Sequence, residues 1–324
     1  MVTNGNRLWR TLSAFNHSTR RWAPIPLRNA QSQVTQKLSL ISQTDTLRTQ
    51  RLSLVSWNID AFSSRPVSRA KLILGHILER TKSPDIIFLQ EVTPDVRASL
   101  LDDARVRAAF LVTDAEDQMS FEDVPFATMT LLSSARFTFG LDSQKEGDEI
   151  EGGGKFMPRC VSRVTLPSKY KRDALCVDII PPTVSDTVFR LINVHLDSLW
   201  DTLHYRSQQM EILAHVLREP GCNGGVIAGD FNAISPGDYG LVDKNELVDA
   251  WVALHGRANP DGATWGVGVK RRDGLGRLDK VAMMGLRAKE IEVRPGPIEV
   301  PRPGEKPVEI PWSDHCGLRC TFTI

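Results

Sequence analysis

Polar side chains that could bind a metal ion or activate water follow several short apolar runs of this sequence. Each run has the length of a buried strand, and residues just past a strand end lie at a rim where several loops can converge on one ligand. Two further acidic positions and a histidine occur late in the chain. The candidate residues are Asn58, Asp60, Glu91, His195, Asp197, Asp230 and Asn232, followed by Asp279, Asp314 and His315.

Gathered together, these residues would make a hard oxygen site with amide and imidazole donors. Such a site suits Mg²⁺, which binds one or two carboxylates together with water and substrate phosphate oxygens. It suits Zn²⁺ poorly, because Cys316 and Cys320 have no second ligand pair. The pattern therefore indicates metal-dependent phosphoryl chemistry. Taken singly, each residue could instead cap a helix, form a turn or make an ordinary ion pair.

The hydrophobic pattern places these residues at element ends. Residues 52–57 alternate as a strand does, and residues 67–80 carry apolar side chains at helical spacing. Residues 86–89 form a short apolar run that ends just before Glu91, and Thr93-Pro94 is typical of a helix start. We expect that helix to continue to about Phe110.

The second half of the chain alternates between strand and helix patterns. The expected strands are Met129–Leu132, Cys160–Leu166, Leu175–Ile180, Val188–Val194, Gly225–Ala228 and Leu278–Met284, and the expected helices are Asp201–Glu219 and Glu246–Leu254. A proline-rich connection separates the last expected strand from Asp314. We find neither an internal repeat nor a clear linker, so residues 51–324 are predicted to form one domain.

Composition narrows the classes of function. The 40 basic and 39 acidic residues give a net charge of +1, which excludes a global positive field but not a local phosphate-binding patch. No apolar run approaches the roughly 20 residues of a membrane span. The 5 cysteines are odd in number and contain no Cys-x-x-Cys pair, which favours a reducing compartment, nuclear or cytoplasmic.

Residues 1–50 form a basic extension with no acidic residue before Asp45. An arginine-rich, acid-poor segment is typical of a mitochondrial transit peptide. The alternative is an ordered hairpin, because a turn-like Asn-His-Ser-Thr lies between Phe15 and Arg20.

The wording and order of the polar segments resemble the endonuclease/exonuclease/phosphatase superfamily. The resemblance covers about residues 51–324 and implies a four-layer α/β sandwich, with two mixed β-sheets packed face to face and flanked by helices. It rests on Ser-Trp-Asn-Ile-Asp (56–60), Leu-Gln-Glu-Val (89–92), Asn-Val-His-Leu-Asp-Ser (193–198), Gly-Asp-Phe-Asn (229–232), Arg-Leu-Asp (277–279) and Ser-Asp-His (313–315).

Within the superfamily, the chain most resembles the tyrosyl-DNA phosphodiesterase 2 family. Arg206 followed by Gln209, and Thr264 followed by Trp265, are close to that family's wording. The resemblance implies hydrolysis of a 5′-phosphotyrosyl-DNA adduct in DNA repair. The chain departs from the family at Phe231, where the family has Thr, at residues 233–235, and at Leu199-Trp200, where it has Thr-Arg. These departures alter the rim that would face the substrate.

Carried over to this chain, the resemblance makes Glu91 the main Mg²⁺ ligand, with Mn²⁺ as a substitute. Asn58, Asp60 and Asp314 would complete its surroundings.

The same resemblance makes Asp230, held by Asn232, the base that deprotonates water. His315, oriented by Asp279, would donate to a phosphate oxygen, and His195 would supply a second contact to the phosphate.

On the substrate side, Trp265, Arg206, Lys270 and Arg271 would border a DNA groove through stacking and phosphate contacts. The alternative for the basic run is an exposed loop with solvated charges.

Other functions stay open at this point. The same fold could serve an abasic-site endonuclease or another nuclease, or a phosphodiesterase or phosphatase for a nucleotide, lipid or inositol phosphate. A member without activity could act as a binding module, although Glu91, Asp230 and His315 are all present. We expect a monomer that binds DNA and no membrane.

Overall fold

The computed structural model describes most of the chain. The described residues are 7–27, 50–78, 83–116, 119–139, 154–182, 187–268, 274–294, 297–300 and 308–324.

One mixed sheet, which we call sheet A, has seven strands. They are β1 (Arg7–Arg10), β8 (Met157–Thr165), β9 (Asp173–Ile180), β10 (Phe189–His195), β11 (Gly225–Asp230), β12 (Val248–Asp249) and β13 (Asp279–Met284). Their order is β1-β8-β9-β10-β11-β13-β12, and only β10 and β11 are paired in parallel.

Sheet B has eight strands. They are β2 (Leu12–Asn16), β3 (Arg21–Pro24), β4 (Arg51–Asn58), β5 (Ile86–Val92), β6 (Phe110–Thr113), β7 (Ala127–Ser133), β14 (Arg287–Arg294) and β17 (Gly317–Thr323). Their order is β14-β17-β4-β5-β7-β6-β2-β3, and here β4 and β5 form the parallel pair. A separate hairpin joins β15 (Pro297–Val300) to β16 (Val308–Pro311) within the proline-rich connection.

Helices cover the outer face of each sheet. They are α1 (Pro66–Leu78), α2 (Pro94–Asp102) and α3 (Ala104–Ala109) on sheet B, and α4 (Leu203–Leu217) and α5 (Leu241–Lys244) on sheet A, with α6 (Ala250–His255) contacting β12, β13 and β14. The layers are therefore helix, sheet, sheet and helix, which confirms the predicted four-layer sandwich.

The space between the sheets is filled by side chains from both of them. Strand alternation directs Leu52 and Leu54 of β4 into this space, while Val55 and Trp57 face the helices. One polar contact crosses the apolar interior: the buried Gln90 side chain donates to Asn193 Oδ1 over 2.8 Å. The Asn193 amide in turn donates to two backbone carbonyls of sheet B. These hydrogen bonds pair the Asn193 amide and the Gln90 side-chain nitrogen, and they fix the two sheets against each other near the carboxyl ends of β5 and β10.

The N-terminal segment is part of the sheets. Strand β1 pairs with β8 of sheet A, and β2 pairs with β6 of sheet B. Strands β2 and β3 form the ordered hairpin considered from the sequence, and the Asn16 side chain accepts from the backbone N–H groups of Ser18 and Thr19 in its turn. A boundary at residue 50 therefore does not separate the described part of the extension from the catalytic sandwich.

The helix expected from Thr93 to about Phe110 is interrupted. Asp103 has an extended conformation (φ −68°, ψ 125°) and accepts from the Arg105 N–H, so α2 ends and α3 begins at this residue. Phe110 is already the first residue of β6. The sequence signal for the break is an N-cap aspartate within an otherwise helical pattern.

No helix in the described ranges is long and apolar enough to span a bilayer.

The buried position of Leu12 gives a test of the N-terminal strands. Leu12 is fully buried between the sheets, so Leu12→Ala should lower the free energy of unfolding by roughly 2–5 kcal/mol, as deletion of a core leucine does. The neighbouring exposed Leu8 provides the control, and Leu8→Ala should cost less than about 0.5 kcal/mol. Urea unfolding of both variants measures the difference, and equal effects would show that residues 7–24 do not belong to the folded sandwich.

Candidate active site

The candidate residues meet where the parallel strand pairs of both sheets end. Asn58 and Glu91 lie at the carboxyl ends of β4 and β5, and His195 and Asp230 lie opposite each other at the ends of β10 and β11. Asp279 pairs with Asp230 from the antiparallel strand β13. A sheet brings the carboxyl ends of parallel neighbours to one edge. The motifs, which are far apart in the sequence, therefore lie together at the edges of the two packed sheets.

Unusual backbone conformations turn several of these side chains inward. Asp60, Glu91 and Asn232 all have positive φ values, of 57°, 59° and 47°. Gly229 has φ 143°, and a Cβ there would lie 2.0 Å from the Val194 carbonyl oxygen, so only glycine allows β11 to approach β10 this closely beside Asp230. Non-glycine residues in the left-handed region cluster at functional sites, where the surrounding structure compensates their cost.

Asn58 joins the two halves of the site. Its buried side-chain amide donates to Glu91 Oε1 and to Asp230 Oδ2, each over 3.0 Å. Its side-chain oxygen accepts from the Asp60 N–H over 3.0 Å. One amide therefore sets the spacing between a carboxylate of sheet B and a carboxylate of sheet A.

Asp60, Glu91 and Asp314 make a cluster of carboxylates on the sheet B side. Burial raises the pKa of Asp60, and the negative charges of Asp314 and Glu91 raise it further. Glu91 Oε2 accepts from the Ala61 N–H over 2.8 Å, and Asp314 Oδ2 accepts from the Trp265 indole over 3.1 Å. Mutual repulsion of this kind is relieved by a bound cation, and the oxygen-only donor set fits Mg²⁺ or Mn²⁺.

Asp230, Asp279 and His315 form a second group on the sheet A side. His315 Nδ1 lies 2.7 Å from Asp279 Oδ2, and its Nε2 lies 3.6 Å from Asp230 Oδ2. Burial alone would lower the pKa of His315, but the charges of Asp279 and Asp230 outweigh burial and raise it to about 10. These residues are close enough to hold an ion. A protonated imidazole does not ligate a metal ion, so the ion pair with Asp279 favours an acid in this group over a metal site.

Burial raises the pKa of Asp230 to about 6, with His315 and Asp279 opposing each other as the next contributions. The Asn232 backbone N–H donates to Asp230 Oδ1 over 2.8 Å, while the Asn232 side chain donates to the Leu196 carbonyl. Asn232 therefore orients Asp230 through its backbone and fixes its own loop through its side chain.

His195 is buried beside the same carboxylates. Its Nε2 lies 3.5 Å from Asp230 Oδ2 and 3.8 Å from Glu91 Oε1. Burial, followed by the positive charges of Arg172 and His315, lowers the pKa of His195 well below its usual value. A neutral imidazole can donate one hydrogen bond to a phosphate oxygen without adding charge.

Arg172 belongs to the site and was missed in the sequence. Its Nη2 lies 3.3 Å from His195 Nε2 and donates to Ser198 Oγ over 3.3 Å, and its guanidinium lies 5.0 Å from the centre of the Phe126 ring. Phe126 in turn stacks on His195. The sequence signal was faint: Arg172 is the last of three basic residues, after Lys169 and Lys171, in the turn just before β9, with no motif around them.

Arg206 does not reach the surface. It is fully buried and makes a bidentate ion pair with Asp238, while its Nη1 donates to the Asp197 and Leu199 carbonyls. The predicted contact of Arg206 with substrate is therefore incompatible with this structure. Asp197 is likewise buried, and its carboxylate accepts from Gln209 and from the Lys169 N–H, so it supports the loop after β10.

The other predicted substrate residues divide into two groups. Trp265 lies at the site, because its indole contacts Asp314. Lys270 and Arg271 lie outside the described residues.

The family model of the endonuclease/exonuclease/phosphatase family matches residues 55–315. Tyrosyl-DNA phosphodiesterase 2 of Rattus norvegicus is 27% identical over 288 residues, which cover 84% of this chain and 67% of the relative. The Homo sapiens protein of the same name is 26% identical over 307 residues, covering 90% of this chain and 73% of its own.

Solved structures share the fold. Zebrafish (D. rerio) TDP2 complexed with single-strand DNA product has a TM-score of 0.62 at 19% identity, and covers 85% of this chain and 99% of its own. TDP2 from C. elegans has a TM-score of 0.59 at 20% identity, and the match covers 85% of this chain and 75% of the C. elegans chain. The matched residues include every motif that contributes to the site. The chain belongs to the endonuclease/exonuclease/phosphatase family, is similar to tyrosyl-DNA phosphodiesterase 2 within it, and is a divalent-metal-dependent phosphodiesterase.

Proposed function

We propose that this protein hydrolyses 5′-phosphotyrosyl-DNA adducts with Mg²⁺ as its cofactor, and so acts in DNA repair. The observation that carries the proposal is the position of Asn58 between two chemically different groups of carboxylates. One group repels itself and fits a cation, and the other is ion-paired with a protonated histidine. A phosphodiester placed between them meets an electrophile on one side and a base with an acid on the other.

Glu91 is the proposed main ligand of the metal, with Asp60, Asp314 and the Asn58 side-chain oxygen around it. The bound ion supplies polarisation of a phosphate oxygen and neutralises charge in the transition state. The chain's own contribution is the conformation of these residues: Asp60 and Glu91 have positive φ values, and the Ala61 N–H fixes Glu91 Oε2.

Asp230 is the proposed base. Its Oδ2 accepts from Asn58 and its Oδ1 from the Asn232 N–H, so the carboxylate is fixed in one orientation. It takes a proton from water as the water oxygen bonds to phosphorus, and the bond from phosphorus to the tyrosyl oxygen breaks. The tyrosyl oxygen leaves as a phenolate, and the DNA retains a 5′-phosphate.

His315 and His195 are the proposed contacts to the phosphate. His315 is held protonated by Asp279, and its Nε2 is free of that pair and directed toward Asp230. A charged donor aimed at a non-bridging oxygen stabilises the transition state more than the ground state, because charge accumulates there. The neutral His195 lies on the side of Arg172, where it adds a second donor.

A cavity of about 190 Å³ adjoins His195 and suits the aromatic leaving group. Its walls include Phe126, Tyr170, Met119 and Leu8, together with the Arg172 guanidinium. Aromatic rings and a cation around one small space favour a phenolic ring. The names of the relatives, tyrosyl-DNA phosphodiesterase 2, and the DNA product in the zebrafish structure agree with this choice of substrate.

We further propose that the protein acts as a monomer in the nucleus or cytoplasm. All five cysteines are free thiols, as a reducing compartment requires. The described part of the N-terminal segment is built into the sheets, which gives no support to a mitochondrial transit role.

The proposed function predicts metal-dependent release of tyrosine from a 5′-phosphotyrosyl single-stranded oligonucleotide. Wild-type protein should release tyrosine with Mg²⁺ or Mn²⁺ and not with EDTA, and Asp230→Asn should lower kcat by about a hundredfold or more because the base is lost. Asp243→Asn, which removes an exposed carboxylate paired with Arg257, serves as the control and should behave as wild type.

Two results would contradict this proposal in different ways. Cleavage of an abasic duplex or of a small diester such as bis-p-nitrophenyl phosphate, with the tyrosyl oligonucleotide left intact, would keep the phosphodiesterase and reject the substrate. Failure to cleave any of these with either metal would favour the inactive binding module.

The ion pairs also predict the pH dependence of kcat. Asp230 must lose its proton to act, so activity should rise as pH passes about 6, and His315 must keep its proton, so activity should fall as pH passes about 10. Asp279→Asn removes a negative charge that raises the pKa of both groups. Both limbs of the profile should therefore move to lower pH in this variant. A lower rate with limbs at unchanged pH would show that Asp279 only supports the fold.

A further inference from the structure

Leu199 has a backbone conformation that leucine rarely adopts. Its φ of 74° and ψ of 163° lie in a region that is essentially restricted to glycine. Its side chain gains nothing from burial, because 57% of its surface is exposed. The neighbouring Trp200 is 66% exposed. A strained residue that presents an apolar side chain to solvent indicates a role in binding.

A buried ion pair holds Leu199 in this conformation. Arg206 Nη1 donates to the Leu199 carbonyl over 2.8 Å and to the Asp197 carbonyl over 2.9 Å. Asp238 fixes the same guanidinium through two further hydrogen bonds, and Thr202 Oγ1 donates to the Leu199 carbonyl over 2.9 Å. These hydrogen bonds hold the loop in place, and they compensate the cost of the strained backbone at Leu199.

This loop borders the catalytic centre. Ser198, one residue before Leu199, accepts through Oγ from the same Arg172 group that lies 3.3 Å from His195 Nε2. Adjacent Cα atoms are only about 3.8 Å apart, so Leu199 directly follows a residue that contacts Arg172 beside His195. The hydrogen bond from Arg206 to the Leu199 carbonyl fixes the backbone of Leu199 there.

The surroundings of the pair limit what it can bind. Lys169 and Asp201 form an exposed ion pair beside Trp200, and His204 follows within the next turn. The apolar surface is thus only two side chains wide, which is too small for a membrane contact. It matches one flat ring, and an exposed tryptophan stacks on any nucleobase.

We infer that Leu199 and Trp200 form a wall that binds a nucleobase within the first three nucleotides of the strand carrying the scissile phosphate. This inference rests on the proposed DNA substrate. Trp200 stacks on the base, and Leu199 fixes the edge of the wall toward the catalytic centre. The pair determines affinity for the strand and takes no part in proton transfer.

A mutant cycle between protein and substrate tests the wall. Binding of single-stranded oligonucleotides to proteins in the Asp230→Asn background is measured by fluorescence anisotropy. Each of the first three nucleotides is made abasic in turn. Trp200→Ala should weaken binding of the complete strand roughly tenfold, in line with the value of one stacked base. For the protein that keeps Trp200, one of the abasic positions should weaken binding by a similar factor. Trp200→Ala combined with that abasic position should weaken binding no more than either change alone.

Matched variants separate stacking from a structural defect. Trp200→Phe should restore most of the affinity, because a smaller ring still stacks. Trp9→Ala, at a tryptophan of similar exposure on the opposite face of β1 from Leu8, should leave binding unchanged. Leu199→Gly should raise Tm by relieving the backbone strain, and it should still weaken binding.

Other results would overturn the inference. If Trp200→Ala has no effect, or weakens complete and abasic strands equally, the wall does not bind a base although the DNA substrate stands. If the parent protein binds no oligonucleotide while wild type hydrolyses bis-p-nitrophenyl phosphate with Mg²⁺, the DNA substrate itself is rejected. Binding to phosphatidylcholine vesicles that is lost in Trp200→Ala would assign the wall to a lipid instead.

Discussion

The contacts of one buried amide, that of Asn58, determine the arrangement of the whole site. Its nitrogen donates to a carboxylate of each sheet, and its oxygen fixes the turn that contains Asp60. These bonds can form only if the ends of β4 and β11 lie face to face. The contact of Gln90, the register partner of Asn58, with Asn193 of sheet A helps to set that spacing. The packing of two sheets and the geometry of the catalytic groups are therefore parts of the same constraint.

The carboxylates of the site form two groups, and the charge of each group favours a different counterion. Burial and the negative charges of Asp314 and Glu91 raise the pKa of Asp60, and this repulsion favours a divalent cation beside these carboxylates. Asp230 and Asp279 share the protonated His315. Because burial strengthens electrostatic interactions, a charge that is misplaced here is costly, and this favours a single arrangement.

The convergence of Glu91, Asp230 and His195 could be predicted from the sequence, because these residues follow strand ends and strand ends are readable from apolar runs. Glu91 and Asp230 stand just after such runs, at the ends of β5 and β11, and the packing of sheet B on sheet A brings them together. Arg172 could not be found this way, since it precedes β9 in a turn and joins the site only through long-range pairing of the sheet. Arg206 was misassigned because a motif resemblance does not tell whether a charged side chain points outward or is paired with a distant Asp238.

The N-terminal strands show the same limit. Their composition is that of a targeting segment, and only the pairing of β1 with β8 and of β2 with β6 reveals that residues 7–24 complete both sheets. Strand β1 pairs with residues more than a hundred positions away in the sequence, and the local sequence pattern does not predict that pairing.

The roles proposed for the two groups of carboxylates require that the metal binds at Glu91 and not at the Asp230–Asp279–His315 group. Electron paramagnetic resonance of Mn²⁺ titrated into wild type, Glu91→Gln and Asp279→Asn tests this directly, because it reports binding without catalysis. We expect a bound ion in wild type and Asp279→Asn, and its loss in Glu91→Gln. Retention of Mn²⁺ by Glu91→Gln together with loss in Asp279→Asn would place the metal on the other side of the site and contradict the assigned roles.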